Sequence, residues 1–242
     1  MTIRKPPDTA LPSGSQDVEP SDRAEGARYA LLQRLAPALQ HHMMGQFQSM
    51  GMIAAMMEKR LQSAEPDLAN IRKDCASLGS VSQTAVMSII NLMSWIEPKP
   101  ATTVKFDACV KECVVLLATQ FRFKGFAIVN EAPEIDLGVS SRALRSVLSA
   151  ALIVLSDFSQ APADLVIRAR AVPGGVEVSI TLRAAERSLK SVYGAAYRLL
   201  EWGDVEMLAA ADAVTLKHDN TAVQLVFSRS HDDSDPTRAR MA

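Results

Sequence analysis

Two long apolar stripes at helical spacing, joined by a four-residue break, constrain the fold of this chain more than any other feature. Leu32, Leu35, Leu39, Met43, Phe47, Met50, Ile53, Met57 and Leu61 recur at steps of three and four. They predict one helix from about Gly26 to Ser63, with no proline after Pro37. Ala64-Glu65-Pro66-Asp67 breaks the pattern and offers Asp67 as a cap for the next helix. A second stripe (Ile71, Cys75, Leu78, Val81, Val86, Ile89, Ile90 and Met93) predicts a helix from about Leu68 to Ile96, ended by Pro98 and Pro100. Two such helices with a tight connection form an antiparallel hairpin. A lone hairpin cannot bury apolar residues on both outer faces. A homodimer that makes a four-helix bundle can, and a second copy of the chain is expected.

Beyond Pro100 the periodicity changes. Short strands are predicted at Thr103–Phe106, Phe126–Asn130 and Ile135–Val139. Helices are predicted at Asp107–Phe121, Ser141–Ser156, Ala185–Trp202 and Val205–Ala211. Leu165–Val172 and Val176–Leu182 flank Pro173-Gly174-Gly175 as a hairpin, and Val214–Lys217 and Ala222–Phe227 form a second one. The fold class is therefore α+β: a long helical hairpin, then an antiparallel or mixed sheet with helices on one face. The expected segments are a disordered tail at 1–24, the hairpin at 25–98, the second domain at 101–229 and a disordered tail at 230–242.

Composition narrows the function classes. With 26 Lys and Arg against 27 Asp and Glu, the net charge is −1, which argues against a mainly electrostatic nucleic-acid binder. No uninterrupted apolar run of about 18 residues occurs, so no membrane span is expected. The first residues lack the apolar middle of a secretory signal, and three cysteines make no disulfide framework. A reduced, cytoplasmic protein is the expectation. Cys75, Cys109 and Cys113 read as small core residues. No Gly-x-Ser-x-Gly elbow, P-loop or metal-ligand spacing occurs, and adjacent His41 and His42 diverge by about 100° on a helix, too far to share one ion well.

The first helix carries Leu35-Ala-Pro-Ala-Leu-Gln-His41-His42-Met-Met-Gly45-Gln46-Phe47. Together with the layout over residues 26–228, this resembles the core of sensor histidine kinases, in which a dimerisation and phosphotransfer hairpin precedes an ATPase-like domain. One subclass carries a His-Asp-x-x-Gly-Gln box. The resemblance implies that His41 is the phosphoacceptor and that Gly45 and Gln46 match the box. His42 stands where the family has Asp or Glu. His41 lies beside the apolar stripe and can face solvent, and Gly45 lies one turn along on the same side. A mid-helix glycine costs about 0.5–1 kcal/mol relative to alanine. Close approach of a partner would explain it. Met44 and Met52 are candidate docking residues because methionine adapts to irregular surfaces.

In the family, nucleotide and Mg²⁺ are held by asparagines on a helix and by an Asp-x-Gly-x-Gly turn after a strand. Here Ala150 and Val154 occupy the expected asparagine positions, and Thr181-Leu182-Arg183-Ala184-Ala185 follows the strand with neither acid nor glycine. Neither alanine nor valine offers an oxygen donor for Mg²⁺. The expected activity is that of a histidine phosphotransferase exchanging phosphoryl with Asp residues on response-regulator receiver domains. No cofactor is expected on this chain, and Mg²⁺ is expected only on the receiver. A non-catalytic scaffold that binds receivers or kinases, and an active ATP-dependent kinase, remain as alternatives.

Overall fold

A computed structural model describes residues 20–96, 102–159, 161–186 and 198–230. Helix α1 runs Pro20–Leu61 and α2 runs Leu68–Ile96, and the two are packed on each other. Asp67 caps α2: its carboxylate accepts from the Asn70 amide at 3.1 Å, which holds its pKa below the usual value. At the tip, Arg60 of α1 pairs with Asp74 of α2. Asp74 is buried by that contact, so the next residue, Cys75, is turned outward and exposed instead of lying in a core. Cys109 and Cys113 are buried, as expected.

The second part begins with β1 (Thr103–Lys105), α3 (Phe106–Phe123) and β2 (Ala127–Asn130). A short β3 (Gly138–Ser140) follows and pairs antiparallel with β1 in a small separate sheet. The strand expected over Ile135–Val139 is thus shifted and shorter. Ser140 Oγ accepts from the Ala143 amide and ends it by capping the next helix. That helix comprises α4 (Ser141–Ala143), a π turn (Leu144–Leu148) and α5 (Ser149–Phe158). Strands β4 (Ala163–Val172) and β5 (Gly175–Ala184) form a long hairpin. Pro173-Gly174 is its turn. Gly174 takes φ +81°, and a Cβ on Gly175 would lie 2.1 Å from the Phe227 carbonyl oxygen, so both positions require glycine.

Helix α6 (Trp202–Ala211) and the hairpin β6 (Thr215–His218) and β7 (Ala222–Ser228) close the domain. The helix predicted over Ala185–Trp202 is not found where it can be seen: residues 185–186 and 198–201 are not helical, and 187–197 lie outside the described residues. Helix α6 begins instead at Trp202, where Asp204 accepts from the Glu201 amide at 2.9 Å. The predicted tails mostly lie outside the described residues, but α1 already begins at Pro20, and the Ser230 amide bonds the Gly138 carbonyl at 2.9 Å.

The main sheet has the order β2-β4-β5-β7-β6, with β2 parallel to β4 and the other pairs antiparallel. Its inner face carries Leu165, Ile167, Val178, Ile180, Val223, Leu225 and Phe227, all buried beneath the helices. Its outer face carries a charged lattice: Arg168–Glu131, Arg183–Glu131, Arg183–Asp164 and Arg170–Glu177. Alternation along β4 and β5 produces this division.

The core does not stop at the hairpin. Ala27, Ala30, Leu31, Leu35, Ala38 and Leu39 of α1, with Leu92 and Trp95 of α2, belong to the same buried cluster as the second domain's core. The first half of α1 lies on α6 and α3 as a third layer. Leu35 is fully buried in that layer. Leu35→Ala is expected to lower unfolding stability by about 2–5 kcal/mol, the usual range for a deleted core leucine, and denaturant unfolding of the purified variant measures it.

Candidate functional site

The second half of α1 and most of α2 form an arm that leaves this core. Among the described side chains of residues 40–91, only Asp74 and Ala85 are buried. Met43, Met50, Ile53 and Met57 on α1, and Ile71, Leu78, Val81 and Ile89 on α2, are half-buried. The rest of the predicted stripes points away: Phe47, Leu61, Val86, Ile90 and Met93 are exposed. The arm is therefore apolar on its outer face as well as between its helices. It also carries no Asp, Glu, Lys or Arg between Arg34 and Glu58, or between Asp74 and the end of α2. His41, His42 and Cys75 are the titratable side chains in these two stretches.

His41 sits on α1 where the buried half gives way to the arm. It is exposed, and among the described residues no hydrogen bond or ion pair holds it. Gly45, one turn on, is exposed, and a Cβ there would meet nothing within 4 Å. Packing inside this chain is therefore not what requires a glycine. Met44 and Met52 are exposed, the latter by 62%. Gln46 is half-buried.

His42 has a different setting. It is half-buried and borders a groove of about 350 Å³ between the base of the hairpin and α3. Ser88, Leu92 and Trp95 of α2 and Ala108, Lys111, Glu112, Val115 and Leu116 of α3 line the rest. Val115 is 65% exposed. The sequence gives no sign of this groove, because its walls are brought together by a network across the junction. Arg145, on the π turn, donates to Ser94 Oγ at 2.7 Å and to both Glu112 oxygens at 3.1 and 2.8 Å. Trp95 Nε1 donates to the same carboxylate at 2.9 Å, and the Arg145 guanidinium lies 5.4 Å from the Trp95 ring centre. A π turn inserted into a helix redirects the side chains it carries.

Two more ion clusters join α1 to the second domain. Arg34 pairs with Asp157, which also accepts from Lys124 at 2.5 Å. Arg28 and Arg142 both reach Asp212, at 3.4 and 2.7 Å. No motif in the sequence marks Arg34 as part of a junction. The available signal was a cation set beside Leu31 and Leu35 on an apolar face.

Where the resemblance expects asparagines, Ala150 and Val154 are fully buried on α5. Arg183 lies in β5, held by Asp164 and Glu131. Trp202 stacks on His218, with ring centres 4.0 Å apart, and His218 Nε2 lies 3.1 Å from Glu206 Oε1. Among the described residues no group of three or more His, Cys, Asp or Glu side chains is placed to hold a metal ion.

No known family model matches the sequence, and no curated protein matches it significantly. Solved structures do. Histidine kinase AdeS of Acinetobacter baumannii is 14% identical over 74% of this chain and 96% of its own, with a TM-score of 0.43. A histidine kinase from Burkholderia phymatum is 11% identical over 88% of this chain and 98% of its own, with a TM-score of 0.42. Histidine kinase ThkA, solved in complex with the response regulator protein TrrA, is 15% identical over 88% of this chain and 65% of its own, with a TM-score of 0.42. In its layout, a helical hairpin followed by an α+β domain, the chain is similar to histidine kinases.

Proposed function

We propose that this chain is a two-component phosphotransferase in which His41 accepts a phosphoryl group from the Asp of one receiver domain and passes it to another. The observation that carries the reading is the exposure of His41 on the hairpin, with no hydrogen bond or ion pair to it among the described residues. A neutral imidazole nitrogen is a competent nucleophile near neutral pH. Its lone pair attacks phosphorus, the N–P bond forms as the P–O bond to the donor aspartate breaks, and the donor leaves as a carboxylate. The reverse sequence delivers the group to the next aspartate. His42 and Gln46, both within the box, tune that exchange, and Gly45 leaves room for the incoming surface, which docks on Met44 and Met52. A receiver is the partner in this reading, as TrrA is for ThkA.

The sealed Ala150 and Val154 favour transfer over autophosphorylation, because they leave that stretch of α5 without an oxygen donor for a Mg-nucleotide. A calorimetric titration with Mg-ATP is expected to give no saturable binding. Micromolar affinity would restore the active-kinase reading.

The apolar outer face of the arm supports the homodimer. Val86, Ile90 and Met93 follow one another at helical spacing on α2 and are exposed in the single chain. By length and composition α2 also passes as a membrane-crossing helix. A second copy is favoured over a bilayer because insertion of the hairpin would carry Glu58, Lys59, Arg60, Glu65, Asp67, Arg72 and Lys73 at its tip through hydrocarbon. Ile90→Glu is expected to weaken the dimer by two or more orders of magnitude, which is about 3 kcal/mol, since it places charge in a desolvated seam. Sedimentation of the variant against the native chain measures this.

Incubation with a phosphorylated receiver tests the central step. Acid-labile label is expected on the native protein and on His42→Ala, and none on His41→Ala. Equal label on both variants, or none on the native chain, leaves a non-catalytic scaffold as the better reading.

A further inference from the structure

The charged groups joining α1 to the second domain are more deeply buried than a surface contact would need. Arg34 and Asp157 are exposed by only 5% and 7% at their side chains, and Asp212 by 1%. On α1, Arg28 and Arg34 are interspersed with small and apolar residues, Ala24, Ala27, Ala30, Leu31, Leu35 and Ala38, all buried. The alanines let the helix approach α6 and α3 closely, while the arginines reach over to fixed carboxylates at the ends of α5 and α6. At the other end of the junction, Arg145 ties the close of α2 to α3 through Ser94 and Glu112. The hairpin is thus attached to the second domain by α1 and α2 together.

Delivery to His41 from the second domain would need a contact between them that this arrangement does not show. His41 is exposed and makes no hydrogen bond or ion pair with that domain among the described residues. Departure would uncover the α1 apolar face and separate Arg28 and Arg34 from Asp212 and Asp157. Lys124 and Arg142 would stay with the two carboxylates, so the cost of departure lies in the bared apolar face and in the lost pairing of the buried Arg34.

We infer that the first half of α1 is a built-in clamp that holds the second domain in one orientation through Asp157 and Asp212, so that the phosphoryl group on His41 comes from a separate protein and not from a swing of this chain's own second domain. The clamp stands on its geometry; only its consequence for His41 rests on the proposed function. Arg28, Arg34, Asp157 and Asp212 are positioning residues in this scheme and touch no reacting atom.

Amide hydrogen exchange on the full chain tests the clamp. In the native protein, amides of residues 27–39 are expected to exchange no more than about tenfold faster than those of α5, because they open only when the domain unfolds. In the Asp157→Asn/Asp212→Asn double variant, the ratio of protection between residues 27–39 and α5 is expected to fall at least tenfold. Exchange of residues 27–39 a hundredfold or more ahead of α5 in the native protein would show that α1 detaches on its own and would overturn the clamp. An unchanged ratio in a folded double variant would overturn it too, and where the variant fails to fold the native measurement decides. Phosphoramidate, a small phosphodonor, separates the two proposals. Label on His41 with a detachable α1 removes the clamp and keeps the phosphotransfer reading. A protected α1 with no label on His41 from phosphoramidate or from a phosphorylated receiver does the reverse.

Discussion

Helix α1 has to satisfy two environments at once, and the rest of the molecule follows from how it does so. Its 42 residues span about 63 Å at 1.5 Å per residue, longer than the second domain can cover. The first half lies on α3 and α6, and its Arg28 and Arg34 are met by carboxylates that the domain supplies. Beyond His42 and Met43, the second half packs on α2 among the described residues. His41 falls where one regime ends and the other begins, so it stands on a helix that is anchored on one side and bare on the other. A reactive side chain there gains a rigid base and an open approach, which a position in the middle of either half would not offer.

The hairpin was legible because helical period, the Pro66-Asp67 break and the terminal prolines all point the same way, and the predicted span of α2 coincides with the observed one. Both β-hairpins were legible for similar reasons, Gly174 and Gly175 being tied to specific backbone needs. Other features were not. The inward turn of Asp74 depends on Arg60 fourteen residues away, and no local pattern announces that it will displace Cys75 to the surface. The strand near residue 138 is defined by its partner β1, thirty-five residues earlier, and not by its own propensity. Apolar texture between Ala185 and Trp202 suggested helix, yet residues 198–201 approach α6 in a non-helical conformation set by the Asp204 contact.

The candidate site divides in the same way. His41 and Gly45-Gln46 were readable, since a box of that kind is local. The His42 groove was not, because it is made by α3 and α2 meeting across the junction, with Arg145 lifted into place by a π turn that sequence does not reveal. The clamp was half visible. Arg34 interrupts an apolar stripe, and a cation in such a place needs a buried acid somewhere. Nothing nearby in sequence identified Asp157, 123 residues on, as that acid.

The uncharged stretch of α1 around His41 gives the proposed chemistry its electrostatic character. A phosphoryl group brings on the order of two negative charges at neutral pH. At 0.1 M ionic strength such charges are felt over about 10 Å. Along the arm no Asp, Glu, Lys or Arg of α1 lies between Arg34 and Glu58, so the nearest charged residue on the same helix is seven residues, or about 10 Å, from His41. Phosphorylation would therefore convert a neutral apolar face into one dominated by a single anion, with little on the helix itself to neutralise it. A partner that docks by apolar contact would meet the two states of His41 as different surfaces. Discrimination between them needs no change of shape in this chain, which agrees with a second domain fixed to α1 and unable to report the change by moving.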